Sequence, residues 1–486
     1  MAAVEEQAQA TAPAPVGGVW SGPQRRLTIG LTLTVTCTAL EALAVATTMP
    51  ATVRDLGGLA LYGWAFSAFM LTNLVGITLA GDEADRRGPA RPFALGVALF
   101  TIGLLIAGTA PTMLLVVVGR AVQGLGAGFI GSVAYVAVGR GYPEAVKPRM
   151  LAVLATAWVV PGLVGPALAG VVAAHVGWRW VFLGLAPLPP LAAILALPIL
   201  GQLDHPALAR ANWGRAASGV QLAGGAALVL AGLGQAIVSL AAGLLLAGVL
   251  VGLPALRRLL PAGALRFASG LPASIATAGL LNLAFFGVDA FVPLTLTAIR
   301  GQNIATAGIP LTAATLGWTV GSWLQAHLAP RHGRRLLVES ALVLIAIGVG
   351  GIIAVLFPWT PGWLATPAWF VAGLGMGLAF STISLVVLET AAVGQEGAAS
   401  ASFQLANVLG SALGTGGGGA IVGHGGVTSP AAAALLTQDL LMLGALGLTA
   451  LAAARMGRRL PRGRDDHIAE SHAPREHAVS EAGGEA

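Results

Sequence analysis

Long apolar stretches alternate with short polar segments along most of the chain. Fourteen stretches stand out, and most reach the roughly 20 residues that a helix needs to cross a bilayer at about 1.5 Å per residue. They lie at residues 27–49, 60–81, 92–110, 112–138, 150–174, 179–200, 216–236, 238–256, 272–298, 306–328, 336–357, 363–388, 398–422 and 433–454. They are too long and alternate too little for the strands of a membrane barrel. The pattern therefore predicts an all-α polytopic membrane protein.

The composition supports this class of protein. Only 9% of the 486 residues are charged and 56% are hydrophobic, whereas a soluble domain carries about 25% charged residues. So few charges cannot cover a soluble body of this size, which excludes a soluble enzyme and a disordered chain. The single cysteine, Cys37, excludes an intrachain disulfide scaffold. The 68 glycines agree with membrane helices, in which glycine is frequent.

The positive charges lie mainly in the loops on one side of the predicted membrane. The exceptions among the 26 basic residues are Arg54, Arg179 and Arg300 on the other side, and Arg120 within a span. Loops rich in Arg and Lys remain in the cytoplasm, so both termini are predicted to be cytoplasmic. The net charge of +6 therefore reflects topology and not nucleic-acid binding. All basic residues but Lys147 are arginine, which is typical of a GC-rich bacterial genome, so we expect the bacterial plasma membrane.

The order of the spans predicts two halves with an insertion between them. The Arg-x-Gly turn after span 2 recurs after span 10, as expected of a protein built from repeated bundles. Spans 7 and 8 contain no ionisable residue and are predicted to form an extra, lipid-facing hairpin. The predicted parts are a disordered tail (1–24), a six-helix bundle (25–200), linkers with the hairpin (201–266), a second six-helix bundle (267–455) and a second disordered tail (456–486).

A cluster of charged and glycine residues follows span 2, in the segment Gly81-Asp82-Glu83-Ala84-Asp85-Arg86-Arg87-Gly88. Glycine permits a tight turn there, and the Asp85 carboxylate can face the positive end of a neighbouring helix. We predict a conformational latch between the bundles, formed by Gly81, Asp85, Arg86, Gly88 and Arg91. The alternative is a charged loop that only fixes the topology.

Three ionisable residues are predicted deep inside spans: Glu41, Arg120 and Asp289. Charge inside a bilayer is costly and usually functional. Counted at about 1.5 Å per residue, the three share one depth and could line one cavity, so we predict that they form a site that binds and releases protons. The alternatives are a fixed ion pair between Glu41 and Arg120, and a water-exposed position near the outer mouth for Asp289. Asp439 is placed close to the outer end of span 14 and is left out.

Polar and aromatic residues within the spans are candidates for a substrate cavity, although contacts between helices explain each of them equally well. The candidates are Gln123, Trp158, Asn282, Phe286, Gln404 and Asn407. None of the eight histidines occurs in a metal-binding spacing such as HExxH. No Ser, His and Asp set lies at one membrane depth. We therefore expect no metal, no cofactor and no enzyme active site.

Five motifs, in the right order and on the right spans, resemble those of the major facilitator superfamily and in particular its 14-helix drug/proton antiporters. They are the loop signature Gly81–Gly88, the RxxQG motif Arg120–Gly124, the antiporter motif Gly162–Gly170, Leu40-Glu41 with Pro50, and Trp178–Phe182. Three positions depart from the family pattern. The first-span aspartate is Glu41 here, the loop continues as Gly88-Pro89-Ala90-Arg91, and Pro330 replaces the acid of the C-terminal loop copy.

The resemblance implies a fold of two six-helix bundles with a central two-helix hairpin. It also implies that Gly162, Gly165, Pro166 and Gly170 form a surface that seals one side of the cavity, with generic helix packing as the alternative. Pro166 removes a backbone donor and is expected to kink its helix. The latch is implied to favour the outward-facing state.

The activity implied by the resemblance is proton-coupled export of lipophilic, cationic or amphipathic compounds by alternating access. The expected partners are a small-molecule substrate, protons and the lipid bilayer, with no nucleic acid, and the expected state is a monomer. One alternative is an exporter dedicated to one natural product or lipid. The other is an integral membrane enzyme or sensor without a transport cycle, against which the repeated loop signature and the antiporter motif argue.

Overall fold

A computed structural model of the chain describes residues 18–143, 146–203, 213–329, 331–392, 395–424 and 430–456, and the regular structure in these ranges is helical. Most of the two predicted tails lies outside the described residues. The first half contains α1 (Gly22–Leu56), α2 (Tyr62–Arg87), α3 (Ala90–Gly108), α4 (Met113–Gly141), α5 (Lys147–Thr156), α6 (Val159–His175), α7 (Arg179–Leu185) and α8 (Leu188–Leu200). A hairpin of α9 (Trp213–Leu233) and α10 (Val238–Leu259) follows.

The second half contains α11 (Leu271–Asp289), α12 (Val292–Leu294), α13 (Ile304–Ala307), α14 (Ile309–Leu328), α15 (Arg334–Val355), α16 (Ala365–Thr390), α17 (Glu396–Gly423) and α18 (Ala432–Ala453). One π-helical turn, Thr295–Ile299, follows α12. Short 3-10 turns lie at Leu59–Leu61, Ala264–Arg266 and Gly362–Leu364.

Twelve helical segments among the described residues are long and apolar enough to cross a membrane. They are α1 to α4, α7 with α8, α9, α10, α11 with the turns after it, and α15 to α18. The predicted spans 150–174 and 306–328 correspond to α5 with α6 and to α14, which are not among the twelve. The first pair consists of two shorter helices, and α14 carries Gln325, His327 and several hydroxyl side chains that lower its hydropathy. The predicted count of 14 spans is therefore not confirmed.

The break between α5 and α6 falls at Ala157 and Trp158. Pro161 has no N–H group to donate to the carbonyl of Ala157, which would be its partner in a continuous helix. Pro166, in contrast, lies inside α6, and the helix continues through it to His175. The proline that interrupts this part of the chain is thus Pro161.

The two halves pack their helices in the same order. In the first half, α2 and α3 pack against α4, and α1 packs against α6 and α8. In the second half, α14 and α15 pack against α16, and α11 packs against α17 and α18. α14 therefore corresponds to α2, and α6 corresponds to α17. The halves meet through these same helices, since α2 packs against α17 and α6 packs against α14.

The hairpin packs at the seam between the halves. Leu222, Ala226 and Leu230 of α9 are buried in a cluster with Leu71 of α2 and Leu409 of α17. α10 packs mainly against α9, and only 17% of its apolar window is buried. The predicted lipid-facing position therefore fits α10, whereas α9 contacts both halves.

The helix ends define two faces of the molecule. α1 begins, and α2 and α10 end, at a face that carries Arg25, Arg87 and Arg258, which we call the basic face. The far end, where α1 ends and α2 begins, is the opposite face.

The halves close against each other toward the opposite face. The Tyr62 hydroxyl of α2 donates to the Ala290 carbonyl (2.8 Å), and the Tyr62 and Phe291 rings lie 5.2 Å apart. One helical turn deeper, the Ser67 hydroxyl donates to the Ala412 carbonyl of α17 (2.9 Å).

Near the basic face, a cavity of about 270 Å³ lies between α2, α17 and the hairpin. Its lining includes Thr78, Gly81, Asp82, Arg215 and Leu405. Both halves border this cavity, through α2 and α17.

Candidate functional site

Glu41 of α1 and Arg120 of α4 form a buried ion pair in the first half. Arg120 is 2% exposed and Glu41 is fully buried. Arg120 Nη1 donates to Glu41 Oε1 and to Gln123 Oε1 (2.9 Å), and Nε donates to the Ala65 carbonyl of α2 (3.0 Å). The guanidinium also lies 4.2 Å from the centre of the Phe69 ring. One arginine therefore joins three helices.

The pair is incompletely satisfied. Glu41 Oε2 and Gln123 Nε2 are buried and have no hydrogen-bond partner. A purely structural ion pair repays its desolvation only when the remaining polar atoms are also bonded. Glu41 Oε2 is therefore available to take up a proton or to accept a further hydrogen bond.

The sequence around Arg120 explains why its side chain reaches α2. A Cβ at Gly124 would overlap the Phe69 carbonyl of α2, so only glycine permits this approach. The Thr72 hydroxyl fixes the same contact by donating to the Ala121 carbonyl (2.7 Å). The RxxQG motif thus has two roles. Its glycine permits the close contact of α4 with α2, and this contact positions Arg120 against α2.

Asp289 is the last residue of α11. Its Oδ1 accepts a hydrogen bond from Trp369 Nε1 of α16 (2.7 Å). The next residue, Ala290, accepts the bond from Tyr62 that joins the halves. Among the described residues, no hydrogen bond or ion pair connects Asp289 to Glu41 or Arg120. Asp289 therefore has a hydrogen-bond partner of its own, and its place in one cavity with Glu41 and Arg120 stays a prediction.

The second half contains a cluster of aromatic and amide side chains. Asn282 Nδ2 of α11 donates to Asn407 Oδ1 of α17 (2.9 Å), and Asn407 Nδ2 is buried without a partner. Nearby, on α11, α14 and α16, the half-buried rings of Phe286, Trp318 and Phe380 contact one another in series, at 6.5 and 5.5 Å between centroids. We call these five residues the aromatic–amide wall.

The other cavity candidates lie elsewhere. Gln123 belongs to the Arg120 network, Gln404 is exposed on α17, and Trp158 is 49% exposed at the break before α6. The structure therefore brings together only Asn282, Phe286 and Asn407 of the six predicted residues.

The residues of the predicted latch lie mostly on a helix and not in a loop. α2 continues through Gly81 to Arg87, and only Gly88 turns the chain, with φ of 81°. Arg86 is half-buried, Arg91 is exposed, and the Asp85 side chain lies outside the described residues. Arg140 Nη1 donates to the Ala84 carbonyl (3.2 Å) and connects the end of α4 to this turn.

The glycines of the antiporter motif face two neighbours. A Cβ at Gly170 would lie 2.7 Å from the Cα of Ala305, and a Cβ at Gly162 would overlap the Thr315 side chain, both in the second half. A Cβ at Gly165 would instead meet Leu40 of α1 at 3.1 Å. The motif thus permits close contact of α6 with the other half and with α1.

Sequence reasoning did not identify three further residues, Asp55, Tyr62 and Asp439, as candidates. Asp55 accepts bonds from Trp178 Nε1 (3.0 Å) and Arg179 Nη1 (2.6 Å) at the opposite face. Asp439, expected near the end of its span, is 2% exposed. Tyr62 joins the halves. The sequence does contain a signal that Asp439 is buried, because the residue lies on the apolar stripe of α18. Its distance from the end of the helix alone does not reveal this.

These features define an all-α polytopic membrane protein of two helix bundles with buried charges. The family model of the Major Facilitator Superfamily matches residues 31–415, and the chain belongs to this family. It is a transporter and not an enzyme.

Known proteins of similar sequence are transporters. The chain is 27% identical over 443 residues to the Mycobacterium tuberculosis protein named "Probable multidrug-efflux transporter Rv1634". The alignment covers 85% of this chain and 91% of the relative. It is 24% identical over 410 residues to the multidrug transporter protein MdtP of Bacillus subtilis, covering 81% and 75%.

Solved structures share the fold. A peptide transporter structure in complex with sulfate superposes with a TM-score of 0.65 at 17% identity and covers 93% of this chain and 98% of that one. A D-xylose–proton symporter gives 0.61 at 13% identity, with coverage of 88% and 97%. At these identities the likeness concerns the fold alone.

Proposed function

We propose that the protein is a proton-coupled antiporter that exports lipophilic or amphipathic small molecules by alternating access. The observation that carries the proposal is the buried Glu41–Arg120 pair with its unpartnered carboxylate oxygen. Driven by a proton gradient, such a protein needs no cofactor.

The proton acts on Glu41 in this proposal. Protonation removes the negative charge, which leaves Arg120 buried without a counterion, and a lone buried charge costs several kcal/mol. The bonds that Arg120 makes to α1 and α2 must then rearrange. Because α2 also packs against α17, the change reaches the contact between the halves.

We place the basic face in the cytoplasm, with both termini, because positively charged loops remain on that side. The membrane is the bacterial plasma membrane. The closed contacts of Tyr62 and Ser67 then seal the outer side, and the cavity near Asp82 and Arg215 opens inward. This arrangement corresponds to an inward-facing state. Gly162 and Gly170 contribute to the outer seal, and the segment from Gly81 to Arg91 acts as the latch of the opposite state.

We also propose 14 crossings, with bundles at 25–200 and 267–455. The support is the repeated packing order: α14 corresponds to α2, and α6 corresponds to α17, and both α2 and α17 are among the twelve long apolar segments. A helix with a crossing counterpart in the other half is expected to cross as well.

The aromatic–amide wall is the proposed substrate surface, in a monomer. Rings bind flat apolar groups and also cations through their π faces, and the free Asn407 amide offers a donor. Two relatives whose names include multidrug efflux or multidrug transport agree with a permissive surface.

The test is the accumulation of a panel of dyes and antibiotics in cells with and without the protein, each with and without a protonophore. We expect lower accumulation of several chemically unrelated compounds, reversed by the protonophore. Export of a single compound would favour the dedicated exporter, and export that survives the protonophore would contradict proton coupling.

A further inference from the structure

Asp439 lies on the buried face of the last helix. It is the eighth residue of α18, on a stripe with Leu435, Gln438, Met442 and Leu446, all of which are buried. The spacing of three and four residues turns this stripe toward the bundle and away from lipid. Asp439 is therefore an interior residue of the second half.

Among the residues that the structure describes, the Asp439 carboxyl forms no ion pair. Its Oδ2 is buried without a hydrogen-bond partner, and none of the ion pairs among the described residues includes it. Glu41, at a comparable degree of burial, is paired with Arg120. A buried carboxylate without a partner is far costlier than a neutral acid.

The helices packed against α18 are α11, α15 and α17, and none provides a positive charge at this depth. Their ionisable residues are Asp289, Arg334, Arg335, Glu339, Glu396 and His424. Arg334, Arg335, Glu339 and Glu396 lie at the basic face, and Asp439 is 14 residues from the basic-face end of α18, a distance of about 21 Å at 1.5 Å per residue.

The two ionisable residues nearer the opposite face have other partners. Asp289 accepts the Trp369 bond (2.7 Å), and His424 Nδ1 lies 2.6 Å from the Ala420 carbonyl within its own helix.

We propose that Asp439 is a second proton-binding site, which takes up a proton when the outer side opens, is still protonated in this closed-outer-side state, and loses the proton toward the basic face later in the cycle. Gln438 links the site to the gate, because its Nε2 donates to the Gly287 carbonyl of α11 (2.7 Å). Three residues further along, Ala290 accepts the bond from Tyr62 that closes the halves. Movement of this helix end on opening would admit water to Asp439. The proposal rests on the proposed proton-coupled export.

The first arm of the test measures protonation without transport. Infrared difference spectra of the purified protein at neutral pH should contain the carbonyl band of a protonated carboxylic acid that is absent from Asp439→Asn. Asp55→Asn is the matched control, because Asp55 is an exposed, ion-paired acid toward the same face and should leave the band in place. A band that persists in Asp439→Asn would overturn the proposal.

The second arm measures protons moved per substrate in proteoliposomes. Asp439→Asn should move fewer protons per substrate than the wild type while still exchanging substrate, and Asp439→Leu should fold with unchanged or higher thermal stability because no ion pair is lost. An unchanged ratio would overturn the proposal even if the band disappears. A wild type that moves substrate without protons would instead contradict the proposed function, so the two failures are distinguishable.

Discussion

The buried acids of the two halves differ in what balances them. In the first half, Glu41 is paired with Arg120, and the arginine is also bonded to Ala65 of α2 and to Gln123 of its own helix. In the second half, Asp289 accepts one bond from a neutral indole, and Asp439 has no partner on Oδ2. A paired acid resists the loss of its charge, whereas an unpaired acid favours the neutral form. The two halves thus share a packing order but differ in their buried acids. The acid of the first half has a charged partner, and the acids of the second half have none among the described residues.

The largest effect is expected when the pair is broken. Glu41→Gln should abolish proton-driven efflux, because the residue can no longer ionise, and it leaves Arg120 without a counterion at a cost of about 3–5 kcal/mol. Glu41→Asp should retain activity. Efflux is measured at matched expression.

The double variant Glu41→Gln with Arg120→Gln separates structure from coupling. It removes both charges, so it should regain stability without regaining proton-driven efflux. Wild-type efflux in the double variant would make the pair merely structural.

The contact between the halves provides a second, slightly smaller effect. Gly170→Ala should strongly reduce transport, because the new methyl group meets the backbone of Ala305 at 2.7 Å and prevents closure. Gly165→Ala is the matched control, since its methyl group meets the movable side chain of Leu40. Equal transport by the two variants would show that the motif only packs helices.

The next prediction concerns Asp289, the acid of the second half that accepts a hydrogen bond from Trp369. Trp369→Phe removes the donor to Asp289 but keeps a ring that can stack on Phe285, which now lies 5.2 Å from it. We expect a several-fold slower efflux with normal folding, and Asp289→Asn should be affected at least as much. Efflux of Trp369→Phe at the wild-type rate would remove this hydrogen bond from the mechanism.

The latch should change the conformational balance more than the maximal rate. Asp85→Asn should slow the cycle and shift the resting population away from the outward-open state. Labelling of single cysteines placed in the outer cavity, on a Cys37→Ala background, measures this population. Unchanged labelling together with unchanged transport would assign Asp85 to topology alone.

The smallest effect is expected in the hairpin, which belongs to neither half. Gln221→Leu with Gln235→Leu should leave the substrate profile unchanged, because α10 is largely peripheral and the face of α9 at the seam is apolar. The measurement is the profile of the double variant at matched expression. Selective loss of one substrate would place the hairpin in the pathway.

The sequence predicted the class of fold and the first-half site because their signals are local. Apolar length gives the spans, and the motif at Arg120–Gly124 gives both the arginine and the glycine that positions it. The sequence could not show that Trp369 is the hydrogen-bond partner of Asp289, because the two residues lie 80 positions apart in the chain. It underrated Asp439, because a count from the end of the helix does not show that the residue lies on the buried stripe of α18.

The most direct test of the account uses purified protein in proteoliposomes with an imposed substrate gradient and no initial pH gradient. We predict that the wild type and Glu41→Asp move protons in the direction opposite to the substrate, and that Glu41→Gln does not. Proton movement by Glu41→Gln at the wild-type ratio, or substrate movement by the wild type without protons, would contradict the central claim that Glu41 carries the coupled proton.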